Sequence, residues 1–438
     1  MVGQFFAAAP GLKTSKAGEM DTTRSVVTGA LLRSGSADPL GDILVYLERA
    51  RGYVSGSPID YCMPCTASED AVFQILASAP LWNEVLCWLD LELRKLPGVG
   101  TQLELVHIRN VCHTRPTPDL LRHSTTLVHW LLKTHRCVVS VHIPYIRDII
   151  MKCILDHIEL DDLLWKNDSV KVFSINISFL SRVTEEPFCK AILSMKRLEE
   201  LHWKEPTCTA TLSNTISALL VASKTLTVLD FETLHITKAQ AQTLLNALRA
   251  NYTLQSLTLS SSVVTAAPSM FVTFLSDTLA LAQLRVAGAT ERDALTPIFR
   301  GMIANGTVSS LDLDQLFLYE HSAILGARML AHNRVLRSIR LLRYDPLIRF
   351  LTYQVRSAEV FKKTASWLDA LVKNDTLQYT TLSVNIWADE CWEQFFSLLS
   401  RNDNLKEVTI VAGESERSRL ADIAKKVEEV GCEEKSPL

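Results

Sequence analysis

Asn251-Tyr-Thr-Leu254-Gln-Ser-Leu257-Thr-Leu259 decides how this chain is read. Its apolar positions obey L-x-x-L-x-L, and the same spacing recurs on both sides. Upstream it returns as Leu226, Leu229, Phe231, as Leu198, Leu201, Trp203, and as Val170, Phe173, Ile175. Downstream it returns as Leu281, Leu284, Val286, then Val308, Leu311, Leu313, then Leu336, Ile339, Leu341, and finally Leu405, Val408, Ile410. First positions at 170, 198, 226, 254, 281, 308 and 336 are separated by 28, 28, 28, 27, 27 and 28 residues, which chance does not produce.

The segments between these motifs carry a different period. In residues 238–249, 294–304 and 322–332 apolar side chains recur at three and four, as in Leu244, Leu245 and Leu248, which is the helical pattern. Each repeat therefore reads as a short strand, a turn, one amphipathic helix and a return, so the class is α/β. One strand–helix unit cannot bury its apolar face alone, and stacked neighbours must cover it. Parallel strands stack at about 4.8 Å and helices at about 8–10 Å, so the helical side is longer. The expected shape is a curved solenoid, parallel strands inside and helices outside.

The array extends upstream through Val138, Val141, Ile143 and Leu103, Val106, Ile108, at wider spacings of 32 and 35. Beyond Leu341 the regularity breaks, because Leu377 follows Leu336 by 41 residues. The insertion holds Tyr344, Arg349, Phe350 and Tyr353, aromatic and arginine side chains of the kind that anchor interfaces. In the Leu377 repeat two registers compete, since Leu382 with Val384 is an equally good core pair. Residues 1–100 do not repeat. Helical patterns over 38–50 and 69–96, the second with Leu81, Trp82, Leu86, Trp88, Leu89 and Leu91, point to an α-helical N-terminal cap that shields the end of the array. The competing reading is an adaptor domain such as an F-box or a death fold, although Leu96-Pro97 falls after Leu81-Trp82, the reverse of F-box order. Residues 101–412 form the array. Residues 413–438 supply a C-terminal cap helix, over 414–430, and a disordered tail.

Apolar residues make up 47% of the chain and the formal charge is -3, enough for a packed core and without the basic stripe of a nucleic-acid or anionic-membrane binder. No segment has the roughly 18–20 uninterrupted apolar residues that cross a bilayer. The patch at Phe5, Phe6, Ala7, Ala8 and Ala9 lacks the preceding basic residue of a signal peptide. Ten cysteines lie at no common spacing, several within apolar runs, so free thiols and a cytoplasmic location are expected.

Chemistry-bearing motifs are few. Cys62-Met-Pro-Cys65, with Cys112-His113 downstream, lacks the second pair that a zinc site needs and the strand that should precede a redox motif. None of G-x-S-x-G, H-E-x-x-H or G-x-x-x-x-G-K-[ST] occurs, so no catalytic residue, metal or cofactor is assigned. Asn-x-Ser/Thr occurs at Asn167, Asn176, Asn251, Asn305 and Asn374. Four of these precede a strand at repeat spacing, where Asn would take the left-handed conformation at a helix C-terminus. Alternation along the strands projects a ladder onto the inner face: Glu200, His202, Lys204, Asp230, Glu232, Thr258, Arg285, Asp312, Asp314, Ser338 and Arg340. Its signs are mixed with acids slightly ahead, which suits a protein partner rather than nucleic acid.

A strand-plus-helix repeat of this length, opening on Asn-x-Thr-Leu-x-x-Leu-x-Leu-like stretches at Asn251, Asn305 and Asn374, resembles the ribonuclease-inhibitor-like leucine-rich repeats. These also form the sensor half of NOD-like receptors, and the chain is similar to stand-alone arthropod proteins related to the NOD-like-receptor and CARD families. The resemblance covers roughly residues 100–412. It departs from the family in lacking a regular Asn or Cys after the strand, where Leu234 and Ser262 stand, and in lacking a nucleotide-binding module. It implies a scaffold or recognition module that binds an unidentified protein on the concave face, with no nucleic acid, no membrane and no set oligomeric state. Two alternatives are a ubiquitin-ligase substrate adaptor docking through residues 1–100, and a GTPase activator of the repeat type, for which Arg182 is the one candidate.

Overall fold

The computed structural model describes residues 82–96, 102–108, 117–143, 169–176, 182–288, 294–314, 320–342, 369–383 except 372, 389–399, 402, 404–411 and 417–425. Its strands are β1 (Leu91–Lys95), β2 (Leu103–His107), β3 (Val138–Ile143), β4 (Val172–Asn176), β5 (Glu200–Thr207), β6 (Val228–His235), β7 (Ser256–Ser260), β8 (Gln283–Ala287), β9 (Ser310–Asp314), β10 (Ser338–Leu342), β11 (Tyr379–Ser383) and β12 (Glu407–Val411). The helices are α1 (Pro118–Thr134), α2 (Arg182–Ser194), α3 (Ala210–Ala222), α4 (Lys238–Ala250), α5 (Ser261–Ala266), α6 (Pro268–Asp277), α7 (Leu295–Ala304), α8 (Glu320–His332) and α9 (Asp389–Leu399). Strands hydrogen-bond in chain order, β1 to β12. Pairings from β2 to β5 and from β7 to β12 are parallel, and β1 pairs β2 antiparallel. The fold class is thus α/β, a mostly parallel sheet alternating with helices. Two compact units divide at Phe231 and Glu232, within β6.

In the unit that ends at Phe231, register places Phe173 beside Leu201 and Ile175 beside Trp203. Leu201, Trp203, Leu229 and Phe231 are all 0% exposed. The first repeats depart from the sequence reading. The helical pattern expected through residue 96 stops at Asp90, whose φ of 55 puts it in the left-handed region that a short polar residue tolerates. Leu91 and Leu93 then alternate with half-buried Glu92 and exposed Arg94 as a strand. The remainder of the N-terminal cap region, 1–81, lies outside the described residues. In β2 the buried pair is Leu103 and Leu105, not Leu103 with Val106 and Ile108. A register irregularity after Leu103 aligns Leu105 with Val141, while antiparallel pairing sets Leu105 against Leu93.

In the unit that begins at Glu232, Leu257, Leu284, Leu311 and Ile339 lie in one row and are buried, with Leu259, Val286, Leu313 and Leu341 in the next. The competition at Leu377 resolves in favour of Leu377 and Leu382, both 0% exposed. The register was hard to see because the middle core position is Thr380, which stands between Ile339 and Val408. The 254 repeat holds two helices rather than one, because Pro268 begins α6 as α5 ends. Helices α6 and α7 approach closely at Gly301, where an added Cβ would sit 2.7 Å from Leu275 Cβ. Residues 417–425 are helical, with Leu420 and Ile423 buried.

The recurrent asparagines do something other than expected. Asn251 and Asn305 are extended, with φ of -81 and -71, not left-handed. Their side chains explain the choice: each Oδ1 accepts from the backbone amides two and three residues on, at 3.0 and 2.8 Å for Asn251 and 3.0 and 2.7 Å for Asn305. Asn333, Asn374 and Asn402, of which only Asn374 carries the Asn-x-Thr signature, make the same pair of bonds. Asn251, Asn305 and Asn374 are at most 8% exposed, so the repeat explains them and an N-linked glycan has no room on the folded chain.

Candidate functional face of the sheet

Core residues occupy alternate strand positions, so the residues between them share the opposite face. On β5, Leu201 and Trp203 are fully buried while Glu200, His202 and Lys204 stand between and beside them. Asp230 and Glu232 alternate likewise with Leu229 and Phe231 on β6. Thr258, Arg285, Asp312 and Ser338 with Arg340 occupy the matching positions of β7 to β10. All ladder residues therefore lie on the strand face. Tyr344, Arg349, Phe350 and Tyr353 lie outside the described residues, as do Cys62, Cys65 and Cys112. Arg182 is the first residue of α2.

Each unit carries a cluster on the face of its own strands that lies opposite the core. In the unit ending at Phe231, His202 sits between two carboxylates: Nδ1 is 3.4 Å from Asp230 Oδ2 and Nε2 is 3.4 Å from Glu200 Oε2. Hydrogen bonding to Asp230, assisted by Glu200, holds the His202 pKa above its usual value against the opposing effect of burial. His142 on β3 lies close by, its ring centroid 6.5 Å from that of His202, with Ser174 between them in the row. Burial pushes the His142 pKa down and His202 adds to this, while Glu104 and Glu200 oppose. Spacing did not single out His142, because its strand sits at the wider interval of 32.

In the unit beginning at Glu232, Arg285, Asp312 and Arg340 line up across β8, β9 and β10. Arg340 Nη1 donates to Asp312 Oδ2 at 3.0 Å and Arg285 Nη2 to Asp314 Oδ2 at 3.3 Å. Arg285 Nε is also 3.7 Å from Asp312 Oδ2. Burial raises the Asp312 pKa, and the pull of Arg340 and Arg285 in the other direction does not cancel it. On β11 Tyr379 occupies the row of Ser338 and Glu407 and is 44% exposed. Sequence reasoning missed it because the register of that repeat was open.

Among the described residues no group of three or more His, Cys, Asp or Glu side chains has the arrangement of a metal site. Cys87, Cys137, Cys189 and Cys208 are buried thiols in no disulfide, and no described helix is long and apolar enough to cross a membrane. Compared with the known protein families and with curated proteins, the chain matches none.

Proposed function

We propose that this chain is a leucine-rich-repeat solenoid of the ribonuclease-inhibitor-like kind, working in the cytoplasm as a non-catalytic recognition module that binds another protein on its strand face. The observation that carries the reading is the ordered alternation of charged side chains across adjacent strands, from Arg285 through Asp312 to Arg340. Strands hold such groups at fixed separations, and rigid elements position recognition groups better than loops do. Mixed charge at fixed spacing selects partners through complementarity and repels wrong ones.

Affinity purification from source tissue with mass spectrometry supplies the partner, and direct binding of that purified partner supplies the test. Asp312 is a poor probe because its carboxylate lies between two guanidiniums. Glu200 and Arg340 are better, being 41% and 47% exposed. Glu200→Lys combined with Arg340→Gln, which removes the charge without setting a second carboxylate against Asp312, should weaken binding at least about tenfold with a change in stability of about 1 kcal/mol or less. Wild-type affinity in that double variant, with binding abolished by Val221→Asp and Ile324→Asp on the helices, would place recognition on the other side.

A further inference from the structure

On the strand face of the unit beginning at Glu232, the two signs of charge are not presented equally. Arg285 and Arg340 keep 41% and 47% of their side-chain surface exposed, whereas Asp312 and Asp314 each keep 19%. The carboxylates lie beneath the guanidiniums they hold. Two arginines and two aspartates sum to zero, yet an approaching molecule meets cationic groups first. Those groups are also restrained, because the bonds to Asp312 and Asp314 fix each planar fork before anything binds. A restrained side chain has less rotamer freedom to lose on capture.

An apolar anchor stands beside them. Tyr379 is two residues along the strand from the row of Arg340 and Thr381, on the same face and next to Ser338. Of the large apolar side chains exposed among the described residues, the others are Leu193, Val221, Tyr252, Leu279 and Ile324, on helices or the turns that follow them. Tyr379 alone lies on a strand. A half-exposed tyrosine near a pinned arginine, with Ser338 on one side and the exposed Glu407 on the other, has the aromatic and arginine composition of an interface hot spot.

We propose that Tyr379, Arg340 and Arg285 form the docking point for an acidic protein segment, whose carboxylates seat on the two guanidiniums while an apolar side chain packs on the tyrosine ring. This rests on the strand face being a protein-binding surface and adds the chemistry of the partner. Arg–carboxylate pairs are the strong, directional kind, two parallel N–H donors meeting two oxygens. The half-buried aspartates engage Nη1 of Arg340 and Nη2 of Arg285, so a partner carboxylate meets the other terminal nitrogen of each guanidinium.

Panning a random peptide library against the full chain tests this without a known partner. Enriched sequences should be rich in Asp and Glu with an aromatic or leucine nearby. Resynthesised with a fluorophore, they should lose affinity by roughly tenfold or more in Tyr379→Ala and in the Arg285→Ser/Arg340→Ser double variant. Arg340→Lys keeps the charge but loses the fork, and should show a smaller loss. Affinity should also fall with added salt. Circular-dichroism melts establish that each variant is folded, and Arg340→Lys keeps the test decisive if the double variant is not. Basic or neutral peptides whose binding is lost in Glu200→Lys would overturn the acidic-partner assignment and leave the strand face as the binding surface. Peptides sensitive only to Val221→Asp or Ile324→Asp would overturn both. Acidic peptides indifferent to Tyr379 and the arginines, or no enrichment at all, would overturn the proposal.

Discussion

Helix α3, in the unit that ends at Phe231, terminates on Ser223, whose hydroxyl accepts from the Thr225 and Leu226 amides at 3.2 and 3.0 Å. Helix α8, in the unit that begins at Glu232, terminates on Asn333. Its Oδ1 accepts from Val335 and Leu336 at 2.9 and 2.8 Å, and its Nδ2 donates to the Met302 and Asn305 carbonyls at 2.7 and 3.1 Å. A hydroxyl closes its own turn. A carboxamide closes its turn and ties it to the repeat before, and the tie in the earlier unit passes instead to Thr225, which reaches back to the Leu198 carbonyl at 2.8 Å. The two units differ in charge in a parallel way: one centres on a histidine between carboxylates, the other on carboxylates beneath arginines.

The difference in caps predicts the largest effect. Asn333→Ala strands two amides and two carbonyls at a site 2% exposed, and should cost about 2–4 kcal/mol, while Ser223→Ala should cost about 1 kcal/mol. Urea unfolding followed by far-ultraviolet circular dichroism measures both. Equal shifts in midpoint would mean that the inter-repeat bonds of Asn333 add nothing.

A smaller effect, of opposite sign, is expected at the weak point of the later unit. Thr380 is 1% exposed, and its hydroxyl has no hydrogen-bond partner among the described residues. Thr380→Val replaces that buried hydroxyl with a methyl group of nearly the same shape, and should stabilise by about 1 kcal/mol. A lowered melting temperature would contradict the absence of a partner.

The finest distinction between the units is in pH. The His202 pKa is raised, so its contribution to stability is fully present below the unfolded value near 6.5 and is lost as pH rises through the folded value. His142 works against it: its pKa is lowered, so its contribution is present above that same unfolded value and is lost as pH falls. The Asp312 pKa is raised as well, but from 3.8, so its contribution fades in a more acidic window. Urea midpoints measured across this range should, in His202→Gln, lose the fall with rising pH that His202 supplies and keep the opposing rise from His142. Asp312→Asn should change the slope only at acid pH. If either variant flattens the other's window, the two clusters are wrongly assigned.

Much of this architecture was legible in the chain. The spacing of 28, 28, 28, 27, 27 and 28 residues located the core rows at Leu201, Leu229, Leu257, Leu284 and Leu311, because a strand with one buried face must place leucine-like residues at fixed intervals. Within each unit the same alternation set the charged residues opposite the core, Glu200 with His202 in one and Arg285, Asp312 and Arg340 in the other. It failed where local rules were overridden. At Leu103 an antiparallel neighbour shifts the pattern, and at Thr380 a hydroxyl occupies a core position.

Sequence alone determined the repeat, the core rows of the regular repeats and the alternation that sets charged residues opposite them, since all three follow from periodicities of two and of three to four residues along one chain. Tertiary structure alone decided which charges are outermost and which partners restrain them. Asp312 and Arg340 are 28 positions apart, and only the register of β9 against β10 brings their side chains to 3.0 Å. It also decided what the recurrent asparagines do, because the carbonyls that Asn333 ties belong to the preceding repeat. Depth and long-range pairing are properties of neighbouring strands and helices, and no pattern within a single repeat encodes them.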